Sequence, residues 1–273
     1  MPVLPMLKTD FHIHTSLCHH AVGTMEQYVT AALEQGLERI CFTDHVPLPD
    51  GFDPTHRMLL SELPGYYDEV ARLREFYQDR LEINLGLECE FMPGLESWLE
   101  KVVEQSQLDY LLGSVHYLGP FGAQEPVFVM RPGNVSLEEL EPPYWQQMEG
   151  LVASGLFDAV AHLDIFKQSG WQPGQRELPQ ITRVLDLMAK KNMALELNSS
   201  GWDKPAVKTA YPDLSLLELA KQRDIDVIYG SDAHAPEQVG RYRQRMTSRL
   251  LECGFSRHVV FNKRKCIPLL IQE

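Results

Sequence analysis

The chain has 273 residues, 44% of them hydrophobic, and a formal net charge of −13. That length can bury a full core and suits one α/β barrel or two small domains, while the acidic balance argues against a general nucleic-acid-binding surface, which needs clustered Lys and Arg. No window approaches the roughly 18 to 20 apolar residues of a membrane span, and no basic segment followed by a long apolar stretch opens the chain, so a soluble cytoplasmic protein is expected.

No low-complexity run, Ser/Gly linker or charge block marks a boundary, so a single domain over residues 1–273 is the simpler expectation. The five cysteines, Cys18, Cys41, Cys89, Cys253 and Cys266, form no Cys-x-x-Cys pair, and an odd count fits a reducing compartment better than a disulfide framework. Each reads as a small buried apolar residue. A metal role stays open for Cys18 and Cys89, which neighbour ligand-type residues.

Residues 8–13 read as a strand. Its alternation puts His12 and His14 on one side, where two imidazoles can converge on one ion. A short loop then brings a third imidazole, His20, within reach of the same pocket. Thr24 and Gln27 form a capping-box pattern ahead of a helix over residues 25–35, stopped by Gly36. A second strand, 39–43, ends in Asp44-His45.

The Pro-, Asp- and Gly-rich stretch 46–55 is a loop, and helical spacing returns over 63–77. A strand over 81–87 ends in Glu88, a helix covers 94–105, and a strand over 109–115 ends in His116. The connection 117–141 is the expected lid or specificity loop. Beyond it come a helix at 143–153, a strand at 157–161 ending in His162, a helix at 178–191, and a strand at 193–197 followed by Asn198-Ser199-Ser200-Gly201. The last stretches are a helix at 214–223, a strand at 226–229 closed by Gly230-Ser231-Asp232-Ala233-His234, a helix at 237–251 and a short strand at 258–261. About seven β-then-α units imply a parallel sheet, and in this length a TIM-like barrel.

In such barrels the C-terminal strand ends carry the active site. His12, His14, His45, Glu88, His116, His162, Asp232 and His234 all fall there, and with His20 they include seven of the ten histidines. Singly, His162 reads as a core histidine, Glu88 as a paired barrel carboxylate and Asp232 as a helix cap. Together they would be costly to dehydrate without a compensating charge, which metal cations supply. Seven imidazoles and two carboxylates exceed the needs of one tetrahedral ion, so two or three divalent metals are expected, with Glu88 as the bridging carboxylate. Nitrogen and oxygen ligands without thiolate suit Zn, Fe or Mn.

These stretches resemble the PHP (polymerase and histidinol phosphatase) superfamily, specifically its monofunctional histidinol-phosphatases. The similarity rests on Asp10-Phe-His-Ile-His-Thr, Phe42-Thr-Asp-His-Val-Pro-Leu-Pro, Arg57-Met58, Gly86-Leu-Glu-Cys-Glu-Phe-Met-Pro-Gly, Gly113-Ser-Val-His-Tyr-Leu, Ala161-His-Leu-Asp, Glu196-Leu-Asn-Ser-Ser-Gly and Gly230-Ser-Asp-Ala-His. The resemblance implies a distorted (β/α)7 barrel with a trinuclear centre. It assigns His12, His14, Glu88 and Asp232 to the first metal, Glu88, His116 and His162 to the second, and His20, His45 and His234 to the third. His20 rather than His19 matches the family spacing.

Two positions depart from the family pattern. Asp44 stands where Glu is common, and Asp203 stands where an Arg usually lies near the substrate phosphate. The implied reaction is hydrolysis of a small phosphate monoester, L-histidinol phosphate in histidine biosynthesis, by a metal-bound hydroxide held by His12, His14, Glu88 and Asp232. Arg57, Lys167 and Lys204 are the expected phosphate clamps, and Ser200 an expected hydrogen-bond donor. The alternatives are a phosphodiesterase or other phosphoesterase acting on nucleotides or small esters, an amidohydrolase, and a non-catalytic metal-binding module. Neither a nucleic-acid nor a membrane partner is expected.

Overall fold

The structure is a computed structural model, and it describes residues 6–271 apart from 105, 125, 175 and 177. Seven strands form one parallel sheet: β1 (Thr9–Ile13), β2 (Arg39–Phe42), β3 (Glu82–Glu90), β4 (Tyr110–Ser114), β7 (Ala159–Val160), β8 (Ala194–Asn198) and β9 (Val227–Gly230). The strands follow one another in that order. The ends of the sheet meet where Ile13 bridges Ala233 in parallel and the His14 amide donates to the Ala233 carbonyl at 3.0 Å. The result is the nearly closed α/β barrel that the alternation of elements predicts.

The helices on the outside are α1 (Met25–Glu34), α2 (Leu63–Tyr77), α3 (Glu96–Glu104), α4 (Leu137–Ser154), α5 (Leu178–Lys191), α6 (Leu214–Gln222) and α7 (Arg243–Glu252). Each lays an apolar stripe on the sheet, as Ile181, Val184, Leu185 and Met188 do in α5. The Thr24–Gln27 capping box opens α1 as read from the sequence.

Four elements differ from the sequence expectation. Helix α4 begins at Leu137 rather than near residue 143, because Ser136 and Glu139 form a second capping box, and Pro142 and Pro143 lie inside the helix. The carbonyls those prolines leave without a donor belong to Glu138 and Glu139, which are exposed to water. Helix α7 starts at Arg243 rather than near 237, because Pro236 opens a 3-10 turn and Gly240 adopts a positive φ of 67°. The expected lid holds a short antiparallel hairpin, β5 (Tyr117–Leu118) with β6 (Val127–Phe128).

The expected last strand is one arm of an antiparallel hairpin, β10 (Arg257–Asn262) with β11 (Lys265–Leu270), outside the barrel sheet. Its two-residue turn, Lys263-Arg264, has both φ angles positive, the geometry that matches the twist of paired strands.

The hairpin lies against the barrel interior at the end opposite the ligand-type residues. Val259, Val260 and Phe261 join Phe11, Tyr110, Leu112 and Ile228 in a separate buried cluster. Tyr110 stacks on Phe261 with ring centroids 5.2 Å apart and meets Phe11 edge-on at 5.7 Å. Of the five cysteines, Cys18, Cys41 and Cys89 are buried, whereas Cys253 is half-buried and Cys266 exposed, so the expectation of burial fails for those two. All five are free thiols.

Candidate metal centre

The His-x-His stretch reaches the barrel mouth by an irregular route. Asp10 pairs with Ile40 and Ile13 with Phe42, so β1 carries one residue more than its partner over this interval. A bulge of this kind lets neighbouring side chains share a face. Phe11 packs with Tyr110 in the inner cluster while His12, next to it, meets Glu88 and Glu196. Simple alternation would have placed Phe11 and His12 on opposite faces.

Glu88, buried in β3, is the hub. Its Oε2 lies 3.3 Å from His12 Nε2, 3.4 Å from His14 Nε2 and 3.1 Å from His45 Nδ1, and its Oε1 lies 2.9 Å from His162 Nε2 and 3.6 Å from His116 Nε2. Asp232 Oδ1 lies 3.2 Å from His14 Nε2 and 3.4 Å from His234 Nδ1. Within these contacts the potential ligand atoms form several groups: His12, His14 and Asp232; His14, His45 and Glu88; Glu88, His116 and His162; His20, His45 and His234. The nine residues expected as ligands are therefore brought together. Cys18 also approaches His14 and His234, whereas Cys89 belongs to no such group among the described residues. His19 turns away, with its Nδ1 2.6 Å from the Pro54 carbonyl.

The donor chemistry fits divalent cations. Two ligands bonded at about 2.1 Å in a tetrahedral shell stand roughly 3.4 Å apart, the spacing found here. His12 Nδ1 points its hydrogen at Glu196 Oε1 (2.5 Å), His116 Nδ1 at Glu90 Oε2 (2.9 Å), His20 Nδ1 at the Cys18 carbonyl (2.8 Å) and His234 Nδ1 at the Asp232 carbonyl (3.0 Å). In neutral imidazoles each leaves an Nε2 lone pair facing the centre. Lone pairs set against one another, as at 3.0 Å between His12 and His14, and against Glu88, need positive charge between them.

The same demand for positive charge shows in the titration of these groups. Burial alone would depress His12, but Glu196, Glu88 and Asp232 outweigh it and hold its pKa well above the ordinary value. Burial pushes His45 and His234 well below that value. For Glu88 and Asp232 burial acts upward, yet the surrounding imidazoles hold both well below the carboxylate range. Two of the residues sit on strained backbone, Asp232 at φ 54° and His162 at φ 23°.

Several supporting carboxylates escaped the sequence reading. Glu196 in β8 holds His12 with one oxygen and accepts from the His162 amide (2.7 Å) with the other. Glu90 holds the His116 ring and accepts from the amides of His116 and Tyr117. Asp44 receives the Thr15 amide and hydroxyl, 3.5 Å from His14 Nδ1. Asp10 receives the amides of Ser231 and Gly240, both at 2.9 Å, and so ties β1 to the loop that carries Asp232 and His234. The period of two would have found two of these: Glu90 follows Glu88, and Glu196 precedes Asn198, at strand spacing. Gly230 makes room for the Glu196–His12 pair, since a Cβ there would lie 2.2 Å from Glu196 Oε1.

The centre opens into a cavity of about 650 Å³, whose wall includes His20, His56, Phe128, Arg131, Lys204 and Arg241. The four residues expected to bind substrate fare differently. Lys204 lines this cavity. Arg57 is buried beside Glu90 (2.9 Å) and Asp53 (3.6 Å from Nε), in the wall of an adjoining small pocket, with no hydrogen-bond partner for Nη1 among the described residues. Ser200 is buried with its hydroxyl unpaired, and it is absent from the cavity wall. Lys167 does not reach the cavity: its ammonium is held by Asp164 (3.0 Å), the Ala210 carbonyl (2.7 Å) and Thr209 Oγ1 (3.3 Å). The buried carboxylate that captured it lies three residues earlier in the chain. Asp203, at the position of the family's usual Arg, pairs with Arg241 at 2.7 Å.

Comparison with known proteins adds independent information. The PHP domain model matches residues 10–200, and a PHP-associated model matches residues 216–249. A probable histidinol-phosphatase of Deinococcus radiodurans is 41% identical over 259 residues, covering 95% of this chain and 98% of the relative. The histidinol-phosphatase of Bacillus subtilis is 30% identical over 258 residues, covering 86% and 96%. Among solved structures, histidinol phosphate phosphatase from Lactococcus lactis, complexed with Zn, L-histidinol and phosphate, superposes with a TM-score of 0.79 at 23% identity, covering 95% and 98%. That likeness supports the barrel fold.

Proposed function

Because this chain belongs to the PHP domain family, we propose that it is a metal-dependent phosphomonoesterase that hydrolyses L-histidinol phosphate to L-histidinol and inorganic phosphate, a step of histidine biosynthesis. The observation that carries the reading is the placement of Glu88 among five imidazoles at the floor of an open cavity. The whole chain acts as one catalytic unit, since strands from β1 to β9 all deliver residues to one mouth.

His12, His14, Glu88 and Asp232 would hold a first ion, Glu88, His116 and His162 a second, and His20, His45 and His234 a third. Divalent ions at such a site acidify water and neutralise the charge that accumulates on a phosphoryl group. The chain's own contribution is orientation. Glu196, Glu90 and the Cys18 and Asp232 carbonyls fix which nitrogen of His12, His116, His20 and His234 carries the proton, so the other is free to bind. Lys204 and Arg131 add positive charge at the cavity wall, where a phosphate anion would enter. Among the described residues no helix is long and apolar enough to cross a membrane.

The test is phosphate release from L-histidinol phosphate by protein loaded with Zn, Mn or Fe, beside nucleoside monophosphates, other small monoesters and a phosphodiester. A preference for histidinol phosphate, abolished by chelator and by His12→Ala, is expected. Faster turnover of the nucleotide or diester substrates would replace this reading with the nucleotide-directed phosphoesterase.

A further inference from the structure

Arg57 is held by Glu90 in the adjoining pocket; of the Lys and Arg side chains in the main cavity wall, Arg241 is the one the structure immobilises against the centre. It lies between Gly240, whose amide is held by Asp10, and the start of α7, and its guanidinium forms part of the cavity wall. Nε donates to the Ser231 carbonyl (2.9 Å), Nη2 to the Asp232 carbonyl (3.0 Å) and Nη1 to Asp203 Oδ2 (2.7 Å). Three of the five N–H donors of a guanidinium are thereby engaged, which leaves one on each terminal nitrogen. The group is fixed one carbonyl away from Asp232, beside the proposed ions.

The carboxylate opposite, which also lines the cavity, has a partner on each oxygen. Asp203 Oδ1 accepts from the Tyr242 hydroxyl while Oδ2 takes Arg241, whose charge offsets its own. Trp202 packs on Tyr242 with centroids 5.2 Å apart and carries the Arg245 guanidinium at 4.4 Å, which pins the turn holding Asp203 to the start of α7. Lys204 and Arg131, the other cations in the wall, are exposed side chains with no comparable anchoring. Lys167 is consumed by Asp164.

We propose that Arg241, oriented by Asp203, is the residue that binds the phosphoryl group of the substrate. The two free N–H groups on its terminal nitrogens match two oxygens of a phosphate, the forked recognition for which arginine is suited. Asp203 is then a positioning residue: it holds the fork in register, and Arg241 offsets its charge at the cavity wall. The inference rests on the reading of the cavity as a phosphomonoester site.

The experiment uses the metal-loaded full chain and inorganic phosphate as the probe. Phosphate affinity is measured by calorimetry and by product inhibition, and bound metal by elemental analysis, for wild type, Arg241→Met, Arg241→Lys and Asp203→Asn. Loss of charge-assisted hydrogen bonds in Arg241→Met should weaken phosphate about tenfold or more with metal content unchanged. Arg241→Lys should recover part of that loss, and Asp203→Asn should produce a smaller weakening that appears in KM before kcat. Unchanged phosphate affinity in both Arg241 variants overturns the proposal. So does loss of metal in step with loss of phosphate, which would make Arg241 a brace for the Asp232 turn alone. Wild type that binds phosphate but prefers other monoesters overturns the histidinol reading while the Arg241 result stands. Wild type with no phosphate affinity overturns both.

Discussion

The two ends of this barrel are built from the same strands to opposite specifications. At the C-terminal mouth, β1, β3, β8 and β9 lead into His12, Glu88, Glu196 and Asp232, all set in close polar contact. At the other end the same sheet supplies Phe11, Leu112 and Ile228, and the β10–β11 hairpin closes over them with Phe261. The apolar end gains stability by removing surface from water. The mouth concentrates buried charge that needs cations to be tolerable. Stability and chemistry are separated along the strands, with the bulge in β1 marking the crossover between Phe11 and His12.

The largest expected effect lies at the mouth. Glu88→Gln keeps the shape and removes the shared charge, so activity should fall by at least the order of 10³-fold that loss of one preorganised contact costs. Circular dichroism should show a folded barrel, and retained turnover would break the division of labour. At the other end, Phe261→Ala should destabilise the chain by about 3–5 kcal/mol. Denaturant unfolding measures this, and kcat per folded molecule should not change; a change in kcat would show that the two ends are coupled.

A smaller effect sharpens the description of the mouth. Glu196→Gln leaves the ligands in place and weakens the hold on the His12 tautomer, so metal affinity should drop roughly 10- to 100-fold in a chelator competition. An affinity equal to wild type would show that Glu196 does not orient His12.

The smallest effect is a pH dependence near the hairpin. Burial lowers His258 in β10 from 6.5 to about 4. Its folded pKa lies below its unfolded one, so the unfolded chain binds the proton first as pH falls through 6.5. Stability is therefore lost on acidification between about pH 6.5 and 4, with about 2 kcal/mol going between pH 7 and 5. His258→Gln removes this contribution, and the difference between the two stability-versus-pH curves isolates it from titration at the mouth. Parallel curves would show that His258 is not held neutral by burial.

What was legible in the sequence was whatever strand and helix periodicity record. The order of the seven parallel strands, the Thr24 cap, the bounds of α2 and α5, and the run of His, Glu and Asp at strand ends all follow from local spacing and composition. The choice of His20 over His19 came from the family spacing; in the fold His20 groups with His45 and His234, while His19 ends its 3-10 turn in a left-handed conformation facing Pro54.

The tertiary structure decided which charges meet. Lys167 and Arg241 are both cations beside ligand-bearing loops, and only for Lys167 does the partner lie within one helical turn along the sequence. One is captured by Asp164, three residues away, and the other is held at the cavity wall by Asp203, 38 residues away. The bulge in β1 depends on register against β2, and the left-handed turn at Asp232 on Asp10 receiving the Ser231 amide across 221 residues. Periodicity along the chain reports which face a residue occupies; only the closed barrel determines what stands opposite it.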